Sequence, residues 1–215
     1  MKRIATTLAL IILSISAFAQ TAEEIIARME KTMEGVDQDG ISLTMDIKIP
    51  IIGTVSTTSY NLGNKTKIEG GIGGDKLTTW TDGKTSWTYN GKTNKIEIED
   101  DKISDTNKKN EDLSILSGVT DGYDVSIKKE DDKAWYILCR KSRDNKEKDD
   151  PKTMDIVVQK GTYWPLSISA SLSGVKMTMR NISFGVDEKT VTFNIEDFPG
   201  VPIEDKRKNT EGPVK

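Results

Sequence analysis

Histidine is absent from the 215-residue chain, and cysteine occurs once. Without imidazole there is no Ser–His or Cys–His nucleophile pair, no histidine acid or base, and none of the commonest zinc ligand sets. A lone Cys139 excludes an intrachain disulfide. A basic excess is missing too. Lys+Arg 31 stand against Asp+Glu 34, a net charge of −3, so nothing in the charge balance draws the chain to nucleic acid. Aromatics make up 6% and hydrophobic residues 35%. That is too apolar-poor for a polytopic membrane protein, yet too well patterned for a disordered chain. The length suits one domain, or at most two small ones.

What is present begins with an address. Lys2 and Arg3 precede an apolar run from Ile4 to Phe18, which closes with Ala17-Phe18-Ala19. A basic start, an apolar middle and a small-x-small end read as a cleavable secretory signal. The run is shorter than the ~20 apolar residues of a spanning helix, and Thr6, Thr7, Ser14 and Ser16 dilute it. Residues 1–19 are therefore expected to be removed, leaving a mature chain that starts at Gln20 and carries no lipid of its own. Cys139 sits in the strand-like run Ala134–Cys139 and reads as a small buried hydrophobe. In an exported chain, intermolecular pairing is the other reading of an odd thiol.

Thr21-Ala22-Glu23-Glu24 has the form of a capping box, and Ile25, Ile26, Met29 and Met33 follow at helical spacing, with Gly35 placed to end the helix. From Ile41 the period changes to two: Ile41, Leu43, Met45, Ile47 and Ile49 alternate with polar residues, as in a strand with one buried face. Similar alternation recurs at Trp87-Tyr89, Ile96-Ile98, Val125-Ile127, Met154-Ile156-Val158, Leu166-Ile168-Ala170-Leu172, Val175-Met177-Met179 and Val191-Phe193. Turn signals such as Asp82-Gly83, Asn90-Gly91 and Ser173-Gly174 separate them. With the weaker stretches this predicts about ten or eleven strands, almost all antiparallel because the connections are too short for crossovers. Asn107–Gly118 breaks the rhythm and reads as a short helix, either a lid or a surface connector. After Asp205 no apolar period remains, so residues 206–215 are read as a frayed tail and residues 20–205 as one domain.

Most motifs that carry chemistry are incomplete. Gly83-Lys84-Thr85 and Gly91-Lys92-Thr93 lack the upstream glycine of a phosphate loop. Ser173-x-x-Lys176 matches a Ser/Lys nucleophile pair, but on a hairpin turn rather than a helix start. Glu97–Asp101, Glu130–Asp132 and Asp149-Asp150 read as solvated loops, with weak calcium binding as the alternative. No catalytic residue, cofactor or metal site is expected. What remains is a long sheet with an apolar face and little helix to cover it.

Thr81-Asp82-Gly83-Lys84-Thr85-Ser86-Trp87-Thr88-Tyr89 resembles a hairpin of the LolA-type outer-membrane lipoprotein carriers. The order Met154-x-Ile156-x-Val158, Trp164-Pro165-Leu166, Ser173-Gly174, Met177-Thr178-Met179 and Phe198-Pro199-Gly200-Val201-Pro202 is similar to that family's closing part. Two departures stand out. Many members carry an arginine in an early strand that pairs with the lid, where Asn64–Glu69 here holds Lys65 and Lys67. The family's phenylalanine-rich first strand is replaced by Leu43, Met45 and Ile47.

The resemblance implies an α+β, mainly antiparallel fold: an unclosed half β-barrel with helices covering its concave face. It implies a monomeric periplasmic carrier, not an enzyme. Such a carrier takes acylated lipoproteins from an inner-membrane ABC-type releasing complex to an acceptor at the outer membrane. A related lipid-binding or envelope-stress-sensing module, or a non-catalytic structural β-domain, are the alternatives. On this reading Leu43, Met45, Ile47, Trp80, Trp87 and Tyr89 line one apolar cavity from the first strands. Ile156, Ile168, Met177 and Met179 line it from the last ones, and Leu113 and Leu116 close it from the lid.

Overall fold

The computed structural model describes residues 20–34, 39–51, 53–71, 75–101 and 118–208. Residues 1–19, read above as a signal, the stretch with Leu113 and Leu116, read as a lid or connector, and most of the tail lie outside the described residues.

Helix α1 (Ala22–Met33) opens as its sequence requires. The Thr21 hydroxyl accepts from the Glu24 amide at 3.2 Å, and the Glu24 carboxylate accepts from the Thr21 amide at 3.3 Å, so two orphan donors are satisfied at once. Ala22, Ile25, Ile26, Met29 and Met33 form one buried stripe. Strands follow: β1 (Ile41–Ile49), β2 (Gly53–Leu62), β3 (Lys65–Gly70), β4 (Leu77–Thr81), β5 (Thr85–Asn90) and β6 (Lys95–Asp100). After the undescribed stretch come β7 (Tyr123–Glu130), β8 (Ala134–Lys141), β9 (Thr153–Gln159), β10 (Pro165–Leu172) and β11 (Val175–Phe184). A short helix α2 (Glu188–Val191), a 3₁₀ turn (Ile195–Asp197) and β12 (Ile203–Asp205) complete the chain.

All strands join one 12-stranded sheet, in the order β12-β6-β5-β4-β3-β2-β1-β11-β10-β9-β8-β7. It is unclosed, with β12 and β7 at its ends. Neighbours are antiparallel except β12 on β6, which the chain reaches only after a long return from β11. Val191-Phe193, expected to be a strand, is not one. The Asp187 carboxylate caps α2 by accepting from the Lys189 amide at 2.8 Å, which turns the chain off the sheet before Phe193. The Ser173-Gly174 hairpin has φ of +51° and +82°, the left-handed pair that a two-residue β-turn needs. That geometry leaves Ser173 and Lys176 without the helix start their chemistry would require.

Helix α1 lies on one face of β1 and β8–β11. Its stripe packs with Leu43, Trp135, Ile137, Cys139, Met154, Ile156, Val158, Ile168 and Ile182. A lateral row crosses this core, Met45↔Met179↔Ile168↔Ile156↔Ile137. Two bulges adjust it. In β11 the register shifts against β1 near Asn181, at φ +53°, so Met179 and Ile182 both turn toward the helix despite their odd spacing. In β10 the shift between Pro165 and Ser167 buries Pro165 and leaves Leu166 40% exposed. The alternation expected from Leu166 onward therefore starts only at Ile168.

At the central seam the Arg180 guanidinium donates to both carboxylate oxygens of Asp46, at 2.6 and 3.1 Å, on the face away from α1. The Ser56 hydroxyl donates to the same carboxylate at 2.6 Å. These contacts, Arg180 first, hold the Asp46 carboxyl below the usual aspartate range.

Candidate functional site

The sequence places the apolar residues of each strand on one side of that strand, but register decides which side of the sheet this is. Met45 pairs with Thr57, and Ser42 and Thr44 with Tyr60 and Thr58. Carried through β3, Tyr60 stands opposite Lys67, Lys67 opposite Trp80, and Trp80 opposite Trp87. Trp80, Trp87 and Tyr89 thus lie on the face opposite Leu43, Met45 and Ile47. The expected site residues are divided between two faces.

On the α1 face, Leu43, Ile156 and Ile168 are buried in the core. Met45 and Met179 are half-buried and pack against it. Ile47 and Met177 face each other across β1 and β11 and are half-buried. Their row continues into Ala170 on one side and Val55 on the other, neither of them among the expected site residues. Hairpin counting finds them, since the β1–β2 turn sets Val55 against Ile47 and the β10–β11 turn sets Ala170 against Met177.

On the reverse face, Trp80, Trp87 and Tyr89 meet the segment that follows β11. Phe193 stacks on Trp87 at 5.4 Å and meets Trp80 edge-on at 5.5 Å. Phe198 lies 4.9 Å from Tyr89 and 5.8 Å from Trp80. Such ring pairs add to the burial they bring. Trp80 is only 9% exposed. The two lysines in place of the family's arginine also serve this face. Lys65 donates to Glu188 at 2.7 Å and to Thr192 at 3.1 Å. The Lys67 ammonium lies over the Tyr60 and Trp80 rings at 5.6 and 5.5 Å.

The acidic clusters are committed elsewhere. Glu97 pairs with Lys206 at 3.0 Å and Glu130 with Lys160 at 2.7 Å. Asp131 accepts from the Lys133 and Ala134 amides. Among the described residues, no group of three or more metal-ligating side chains comes together. A recess of about 460 Å³ at the ends of β3 and β4 is lined by Glu69, Asp75, Lys76, Leu77 and Thr78 among others, none of them an expected site residue.

Cys139 is fully buried in the core, and burial pushes its thiol up to about 11, with Asp155 adding to the rise. The folded protein should therefore resist iodoacetamide at about pH 8, where an exposed thiol near its ordinary pKa reacts readily. Intact mass should show one adduct only after denaturation. Rapid labelling of the native protein would mean that the core opens at β8.

The sequence of residues 15–171 matches the family model described as outer membrane lipoprotein carrier protein LolA. Comparison with curated protein sequences finds no match. Among solved structures, the chain is similar to LprF from Mycobacterium bovis, with 10% identity and a TM-score of 0.50, covering 80% of this chain and 96% of that one. A LolA superfamily protein from Nitrosomonas europaea is similar at 12% identity and a TM-score of 0.31, covering 81% and 99%. An uncharacterized conserved protein from Thermus thermophilus is similar at 15% identity and a TM-score of 0.43, covering 86% and 99%. A single sheet with its core under an N-terminal helix, and a family match across α1 and nearly all of β1–β10, lead to one statement: the chain belongs to the LolA family of outer membrane lipoprotein carrier proteins.

Proposed function

We propose that this protein is a periplasmic carrier, exported by cleavage after Ala19, that shields the acyl chains of lipoproteins between the inner and outer membranes. An inner-membrane ABC-type complex loads it, an outer-membrane acceptor unloads it, and it works as a monomer without catalysis. The acyl chains lie on the α1 face along Met45, Ile47, Met177 and Met179. Helices cover the concave side of a half-barrel in this reading.

The observation that carries it is the half-buried row Ile47–Met177–Ala170, which extends the buried core outward. Unbranched, polarizable methionines suit a surface that must accept chains of varied shape. The need is energetic. Each methylene left in water costs ~0.8 kcal/mol, so a 16-carbon chain costs roughly 12 kcal/mol. No such chain crosses an aqueous space unescorted.

Native mass spectrometry of protein purified without detergent tests the proposal, beside titration with a fluorescent fatty acid. Bound species with acyl-chain masses and saturable binding are expected. An empty protein that binds no acyl probe would leave a structural β-domain.

A further inference from the structure

At one end of the sheet two hairpin tips stand side by side. The β1–β2 turn follows Ile49, and the β10–β11 turn joins Leu172 to Val175. They are neighbours because Lys48 pairs with Lys176 across β1 and β11. By strand alternation the apolar side of the core row runs out to these tips, through Ile47 and Met177 to Ile49, Leu172 and Val175. Those last three are half-buried, and beyond them Ile51 is fully exposed. Its φ is +75°, a region in which a β-branched residue is an outlier. The fold thus holds a large apolar side chain in water, in a backbone conformation that suits it poorly.

Charge at these tips has one sign. In a chain of net charge −3, no Asp or Glu occurs between Asp46 and Glu69, nor between Asp155 and Asp187. Lys48 and Lys176 are exposed and directly opposite each other, with Thr54 and Ser171 as their outer neighbours. Like charges so placed repel. The nearest carboxylates on these strands lie inboard and are engaged, Asp46 with Arg180 at 2.6 Å and Asp155 with Lys128 at 3.2 Å. The β8–β9 loop beyond β10 carries both signs, with Lys146, Lys148 and Lys152 beside Glu147, Asp149 and Asp150. The apolar tips are therefore rimmed by cations alone.

We infer that the paired tips are a docking edge for a bilayer surface that bears anionic phospholipid. Ile51 enters the boundary between headgroups and acyl chains, and Lys48 and Lys176 meet the lipid phosphates. Phosphate between the two lysines relieves their repulsion, and immersion gives Ile51 the cover that the fold withholds. The contact is small, so binding is weak and reversible, as a shuttle needs. Docked in this way, the outer end of the Ile47–Met177 row opens at the membrane. That last point rests on the carrier reading; the docking itself does not.

The test floats the full exported chain with vesicles of phosphatidylcholine, with and without phosphatidylglycerol. Binding to the anionic vesicles is expected, weakened by high salt and about tenfold by Lys48→Gln/Lys176→Gln. Ile51→Asn should weaken it about fivefold. The melting temperature of that variant should hold or rise, because asparagine tolerates a positive φ. A polarity-sensitive dye on Ile51→Cys should shift its emission to the blue on these vesicles. The same dye on Lys84→Cys should not, since exposed Lys84 lies in the β4–β5 turn at the opposite end of the sheet. No vesicle binding by the wild type, or equal binding by Ile51→Asn, overturns the docking edge and leaves the tips to a protein partner. Fatty-acid titration beside it separates the two claims. Acyl binding without vesicle binding overturns the edge alone, whereas vesicle binding without acyl binding supports the edge and removes the carrier reading.

Discussion

Met177→Glu is expected to weaken acyl-chain binding about a hundredfold while moving the melting temperature by only a few degrees. Met177 is half-buried beside Ile47 and Ala170 and stands outside the buried core. A glutamate there reaches water in the empty protein. An acyl chain laid across it would trap the carboxylate without a partner, which costs several kcal/mol. The control is Ile156→Asp at a fully buried position in the middle of the core row. An unpaired charge there should unfold the domain or nearly so. Thermal melts beside fatty-acid titration separate the two. If both variants lost stability alike, or if Met177→Glu bound the probe as the wild type does, the acyl site would not lie on this row.

Trp80→Ala should cost about 3–5 kcal/mol of unfolding free energy in urea, the range for removing a large buried aromatic. Trp80 is the junction of the reverse-face cluster, in contact with Phe193 and Phe198 and beneath the Lys67 ammonium. Its loss removes packing from the sheet and from the C-terminal segment at once. That segment is further held where the Ile96 amide donates to the Pro202 carbonyl and the Lys206 amide to the Ile98 carbonyl. Limited proteolysis should therefore cut the variant first between residues 186 and 202. A loss below about 1 kcal/mol, typical of a surface change, would mean that the aromatic cluster is peripheral to stability.

The helix and most strands are legible because each rests on a local signal. Thr21 and Glu24 fix the start of α1, and the alternation from Ile41 to Ile49 marks β1 whatever lies beside it. The side of the sheet is not local. Trp80, Trp87 and Tyr89 have the same parity signal as Leu43 and Met45, yet they face the other way, and only the paired positions along β2 and β3 reveal it. Those two strands carry polar residues on both faces, so no apolar stripe connects the two groups. The seam bulge near Asn181 is equally silent in a periodic reading, because one extra residue looks like a lapse in the pattern. Val191-Phe193 misled for the opposite reason. Two apolar residues with a polar one between them resemble a strand, although Asp187 caps a helix turn just before them.

The topology also sets the order in which the molecule can assemble. Strands β2 to β6 and β7 to β11 each pair with their neighbours in the chain, so each meander can form from contacts close in sequence. The seam between them is different: Asp46 and Arg180, which pair across it, are 134 residues apart. Closing that distance before any contact rewards it is slow. As the chain is made from its N-terminus, β1 emerges among the first strands and its β11 partner among the last. The apolar edge of Leu43, Met45 and Ile47 therefore waits longest for cover, and the seam governs the folding time of the whole sheet.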